Sequence, residues 1–328
     1  MFLELLLVFI LSLFILSFLG TGALNIIFRF LGKRGYMGNL YEPVRGGTPR
    51  AIGIVPFILI SLFLPAGYNN LVLVMGLCAL VDDVMGRRRI ANLPIEVGQL
   101  ARGIGMLCVT GLGYSLMGIS SILVALLIQP MNIADMQPGS AASGVIIMSF
   151  FTILATLIIG VEPVAQIPAY YVPLLTLVTC IAYAPLDFSG KIMMGEVGNH
   201  TFAIALGIGY YILGGFVGTL ILFIVTTALI AYIRRDNLSR FLVNKLHINN
   251  PTFGDLFMDV LTGGGLGDLF RKIILRQRKQ EVTDNLLISF LLISLGFRRL
   301  LYNPYSPNLE RVVEKDVRTK PADLRRLN

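Results

Sequence analysis

The sequence predicts an all-α polytopic membrane protein with about ten transmembrane helices and its polar chemistry gathered at the cytoplasmic face. Three observations carry that expectation. The 328-residue chain is 55% hydrophobic, only 14% charged, and has a mean hydropathy of +0.77. A soluble chain of this length cannot hide so much apolar surface. Its apolar runs approach the ~20-residue length that a bilayer core demands, and its basic residues collect between them.

The first run, "MFLELLLVFILSLFILSFLG", lacks a basic leading region and a small-residue cleavage site. It reads as a retained helix near 3–20 rather than a signal peptide. Further spans are expected near 50–65, 70–82, 97–111, 114–130, 142–161, 169–184, 201–215, 216–233 and 285–301. Ten helices leave loops on alternating sides. One set is 21–49, 83–96, 131–141, 185–200 and 234–284. The other is 66–69, a turn near 112, 162–168 and a tight turn at Gly214-Gly215. Outside the C-terminal tail, Lys and Arg lie in or beside the first set, which makes that set cytoplasmic and puts both termini outside. The expected organisation is one transmembrane domain over 1–301 and a charged tail over 302–328, in a multi-pass protein of the plasma membrane. The tail is basic as well as acidic, so an odd helix count stays open.

Cys78, Cys108 and Cys180 sit inside apolar runs with no paired spacing, which implies small core side chains and neither a disulfide framework nor a metal knuckle. The net charge of +8 is distributed as membrane orientation distributes it, so nucleic-acid binding is discounted.

Four segments on the basic side carry candidate chemistry. "VRGGTPRAIGI", Val44 to Ile54, leads through glycines and a proline into a helix; this reads equally as a phosphate approach or as structural punctuation. Asp82 and Asp83 are adjacent carboxylates at the end of an apolar run, and they repel unless a cation, a proton or an arginine offsets them. Arg87 to Arg89 stand ready to do so as a solvated cluster; the competing reading is a metal or catalytic role. Asn132 and Asp135 share a face if their helix continues that far, and Pro138-Gly139 then breaks the chain. In "GKIMMGEVGNHTFAIALG", Glu196 lies between Gly195 and Gly198, with Asn199 as a candidate N-cap and His200 read as packing. A carboxylate so placed can coordinate Mg²⁺ and leave room for a diphosphate. Taken together, the order and shared side of these segments fit metal-assisted phosphoryl transfer.

With these residues in view, the chain resembles the polyprenyl-phosphate N-acetylhexosamine-1-phosphate transferases. "GGTPRAIGI" is similar to that family's K-x-GTP-x-x-GG segment, "DDVMG" to its DD motif, "NIAD" to its N-x-x-D, and "MGEVGN" to its M-G-D-x-G-S. The resemblance covers roughly 1–301. It implies that polyprenyl (undecaprenyl) phosphate attacks the β-phosphate of a UDP-linked amino sugar, giving a lipid-diphosphate sugar and UMP. It implies Mg²⁺, with Mn²⁺ as a substitute, and a homodimer among the allowed assemblies. By the same resemblance Asp82, Asp83 and Asp135 are the catalytic candidates, Glu196 and Asp83 the metal candidates, and Arg45, Thr48, Asn132, Asn199 and His247 the substrate-binding candidates.

Departures from the pattern keep a second reading open. The family's metal aspartate is Glu196, Met136 and Asn199 replace a glycine and a serine, and Met193 stands where relatives place an aromatic. A histidine-rich motif is reduced to His247. The alternative is a catalytically degenerate member that binds polyprenyl phosphate as a scaffold or regulator. The segment "LTGGGLGDLFRKIILRQRKQ" reads equally as an amphipathic stretch on anionic membrane lipids or as a solvated basic loop. A secondary transporter is disfavoured, since no inverted repeat or charged mid-helix break is visible.

Overall fold

A computed structural model describes residues 2–42, 47–86, 88, 90, 96–163, 167–246, 248–263 and 286–301. The chain falls into two compact units, Met1–Ile230 and Ala231–Asn328.

The first unit begins with α1, Phe2–Lys33. At 1.5 Å per residue its 32 residues run well past a ~30 Å bilayer core. The expected loop at 21–49 therefore starts late, because "GALNIIFRFLGK" continues the apolar pattern to the basic stop at Lys33. The surplus turns have a use: Arg29 donates to the Gly47 carbonyl at 3.3 Å and the Lys191 carbonyl at 2.5 Å. A two-residue antiparallel pair follows, β1 (Tyr41–Glu42) with β2 (Thr48–Pro49).

The next helices are α2 (Ile54–Phe63), α3 (Tyr68–Met85) and α4 (Val97–Met117). A reciprocal capping box between Glu96 and Gln99 starts α4. The expected turn near 112 lies at Gly118 instead; its φ of 55° fits the residue without a Cβ, whereas 112 stays helical. Two short helices, α5 (Ser120–Leu126) and α6 (Ile128–Ala134), precede α7 (Ser140–Ile159) and α8 (Tyr171–Phe188).

Helix α9, Gly195–Ile233, is 39 residues long but turns back on itself at Gly214-Gly215, where the backbone leaves helical angles. The Tyr210 hydroxyl meets the Thr226 hydroxyl at 2.8 Å. Sixteen residues of straight helix would hold them roughly 24 Å apart. The limbs are therefore antiparallel neighbours, and the tight turn expected from the sequence is present. Among the described residues six helices, α1, α3, α4, α7, α8 and α9, are long and apolar enough to cross a membrane. Their outward residues include Leu7, Leu19, Ile26, Leu107, Ile158 and Val217, the surface of a membrane-embedded protein. The three cysteines are unpaired.

The second unit holds α10 (Arg235–Leu246), α11 (Phe253–Thr262) and α12 (Leu286–Ser294), then a 3-10 turn at Arg298–Leu301. The expected cytoplasmic loop 234–284 is thus partly helical. Thr252 caps α11 in a reciprocal box with Asp255, and Asp255 also accepts from Arg298 at 2.8 Å. Arg299, fully buried, pairs with Asp259.

Candidate functional site

The four chemistry-bearing segments converge within the first unit. The chain from Pro49 to Gly53 lies against 193–194: Met193 donates to the Pro49 carbonyl at 2.8 Å, Ile52 to Met193 at 3.2 Å and Gly53 to Met194 at 3.1 Å. A Cβ at Gly53 would overlap the Gly198 backbone, so this glycine serves a backbone-to-backbone approach within the protein. The "GGTP" and "GEVGN" segments are one structural piece. Thr48 sits in β2; Arg45 lies outside the described residues, as does His247.

Asp82 and Asp83 close α3 as expected, and both are buried. Asp83 accepts the backbone N–H groups of Glu196 and Val197, each at 3.0 Å, at the start of α9. Two amides at a helix N-terminus suit a carboxylate. Its other partner is Arg50, whose Nε lies 3.0 Å from Asp83 Oδ1 and whose Nη2 lies 3.8 Å from Glu196 Oε1.

Asp82 pairs instead with Arg102 of α4, at 2.8 Å. The same Nη2 atom reaches Glu196 Oε2 at 3.2 Å. Asn132 on α6 completes the cluster: with its amide oriented to suit its neighbours it donates to both Glu196 oxygens, at 3.1 and 3.2 Å, and accepts from Arg102 Nη1 at 2.6 Å. The sequence offered Arg87 to Arg89 as the cations offsetting the aspartates. Arg50 and Arg102 do it here, while Arg87 and Arg89 lie outside the described residues.

Helix α6 continues to Ala134 with Asp135 as its C-cap, so Asn132 and Asp135 do share a face. Burial, with the charges of Asp187, Glu196 and Asp83 around it, raises the Asp135 carboxyl well above its ordinary value. Asn199 sits inside α9 rather than at its N-cap, because the helix already starts at Gly195. Its Nδ2 lies 3.5 Å from both Asp135 Oδ2 and Glu196 Oε2, which bridges the two groups. His200, read from sequence as packing, is buried with Nε2 3.1 Å from Glu196 Oε2.

Beside the cluster lies a cavity of about 250 Å³, lined by Thr48, Asp135, Met136, Asp187, Ile192 and Met193 among others. Asp187, at the end of α8, accepts from the Gly139 N–H at 3.1 Å. The cavity wall carries two carboxylates and the Thr48 side chain, with Met136, Pro138, Ile192 and Met193 between them.

The chain matches no known protein-family model and no curated protein sequence.

Arg102, Arg50, His200 and Asp187 were absent from the candidates drawn from sequence. Arg102 carried a legible signal, since it is the one charge within the apolar run 97–117, and an ionisable group there marks function by default.

The donor set bears on the Mg²⁺ implied by resemblance. Among the described residues no three His, Cys, Asp or Glu side chains gather to hold a metal ion. Glu196 and Asp83, the metal candidates, spend their oxygens on guanidinium, amide and backbone donors. As arranged, these residues do not fit an octahedral oxygen site with ligands at ~2.1 Å.

Proposed function

We propose that the protein transfers a sugar-1-phosphate, of the N-acetylhexosamine class, from a UDP-linked donor to polyprenyl phosphate, releasing UMP. One observation supports this above the others. The four segments that resemble the transferase motifs, far apart in the chain, meet around Glu196 through two guanidiniums. In this reading a lipid-phosphate oxygen attacks the donor's β-phosphorus, the bond from that phosphorus to the bridging oxygen breaks, and UMP departs with the electron pair. Asp82 positions the lipid phosphate, Arg50 and Arg102 offset the charge on the transferring group, and Asn132 and Asn199 orient it. The cavity between Thr48 and Met193 takes the nucleotide end, with Asp135 and Asp187 as polar contacts. The reading includes ten spans in the plasma membrane, the site at the cytoplasmic face, and a homodimer among the assemblies to be tested.

The second reading is a non-catalytic polyprenyl-phosphate-binding scaffold. The pairing of Asp82 to Arg102, which restrains a candidate base, favours it. The deciding experiment mixes the purified protein with undecaprenyl phosphate and a panel of UDP-sugars and follows UMP. Release that requires the lipid and is lost in Asp82→Asn supports transfer. Silence across the panel with the lipid still bound supports the scaffold.

A further inference from the structure

We propose that Arg102 is the resident cation of this site: its guanidinium bridges Asp82 to Glu196, one of the two metal candidates, and the chain engages its phosphate ligand without a bound metal. The inference rests on the reading above only for the identity of that phosphate.

The geometry is that of a bridging cation. One nitrogen, Nη2, spans Asp82 Oδ2 and Glu196 Oε2 at 2.8 and 3.2 Å, while Nη1 takes the Asn132 oxygen at 2.6 Å. Three helices, α3, α6 and α9, are thereby joined by a single side chain of a fourth, α4. A Mg²⁺ ion seated between the same two oxygens would need both within ~2.1 Å, in the space that Nη2 holds. It would also face a guanidinium at close range. Two positive groups held that close in a poorly solvated place repel strongly. Arg102 and a divalent ion are competitors for one place.

The wider charge balance leads the same way. Three clustered carboxylates, Asp82, Asp83 and Glu196, face two guanidiniums, those of Arg102 and Arg50. The two guanidiniums offset two of those three charges, and they do it with a group that stays charged at every accessible pH.

A purely structural ion pair would leave nothing over. Here Arg102 Nε, Asn199 Oδ1 and His200 Nδ1 are buried and have no hydrogen-bond partner among the described residues. Arg102 is 8% exposed and the other two residues are fully buried. An orphaned charged donor inside a polar cluster costs free energy unless a ligand supplies the acceptor. A phosphate oxygen is the acceptor that a guanidinium fork suits best.

The test uses the full chain, stripped with a chelator, in detergent. Mn²⁺ is titrated in and its free spectroscopic signal followed, and undecaprenyl phosphate binding is measured with chelator present. The expected result is no sequestered Mn²⁺ at millimolar concentration and lipid-phosphate binding that survives chelation. Arg102→Met should weaken that binding by about tenfold or more, and Arg102→Lys should recover part of it. One equivalent of bound Mn²⁺ that disappears in Glu196→Gln overturns the proposal. So does phosphate binding that is lost on chelation and restored by Mg²⁺, or that is unchanged in Arg102→Met. If Arg102→Met fails to fold, the wild-type titration and Arg102→Lys still decide. UMP release is scored separately, so a chain that binds the lipid phosphate without metal but turns over no donor sinks the transferase reading and leaves this one standing.

Discussion

Arg102 reaches Asp82 across a notch left by Gly98, one helical turn earlier on the same face of α4, where a Cβ would overlap the Asp82 carboxylate. Glycine inside a helix is normally a loss of about 1 kcal/mol relative to alanine. At this position the missing side chain is what lets a carboxylate and a guanidinium meet in a buried place.

Gly98→Ala should therefore destabilise the protein despite its better helix propensity. Overpacking costs about 1–3 kcal/mol, and displacing Asp82 also leaves Arg102 short of a partner. Thermal unfolding in detergent should show a lowered midpoint, and lipid-phosphate binding should fall with it. An unchanged or raised midpoint would mean that α3 and α4 separate easily and that the pair is incidental.

The two adjacent aspartates should behave differently. Asp83 is fully buried and holds two backbone amides and Arg50, so Asp83→Asn breaks a buried network, at a cost of roughly 3–5 kcal/mol. Asp82 is 8% exposed and Asn in its place still offers Arg102 an acceptor oxygen, so Asp82→Asn should cost less stability than Asp83→Asn and remove function while the protein still inserts and folds. Measuring both midpoints beside UMP release separates the roles. Equal loss of stability in the two variants would contradict the distinction.

That asymmetry between neighbours shows where sequence reasoning stops. The membrane class, the turn at Gly214-Gly215 and the placing of Asp82, Asp83, Asn132, Asp135 and Glu196 at helix boundaries were readable, because hydropathy and turn chemistry are local signals. The partners of those residues are not local. Arg102 lies 20 residues from Asp82, and Arg50 meets Asp83 only because 49–53 lies against 193–194. Arg87 to Arg89 are nearer in sequence to the aspartates than either arginine that pairs with them. Asn199, a candidate N-cap from sequence, lies inside the helix because α9 begins at Gly195.

Asp135 gives the pH-dependent prediction. Its carboxyl is raised in the folded protein, so the folded state binds that proton more tightly than the unfolded chain does. Ionisation then weighs against folding as pH rises above the ordinary value of 3.8, and the penalty is complete once the raised value is passed. Asp135→Asn removes the charge and keeps a carbonyl oxygen to accept from Asn199. It should raise the unfolding midpoint near neutrality by roughly 2–4 °C for each kcal/mol recovered. The gain should shrink to nothing as pH approaches about 4. A gain that is constant with pH would assign the effect to packing instead of charge.

The hairpin in α9 carries the topology. Gly215 has φ 56° and ψ −142°, a combination that residues with a Cβ adopt only under strain of about 1–3 kcal/mol. Gly215→Ala should loosen the turn, and Tyr210→Phe should remove the hydroxyl contact that ties the limbs together. With two limbs crossing, cysteines introduced singly at 162 and at 214 should react with an impermeant thiol reagent from the same side of the membrane. A cysteine at 39, beside β1, should react from the opposite side. Labelling of 39 and 214 from one side would mean that α9 does not complete two crossings, and the ten-span arrangement would go with it.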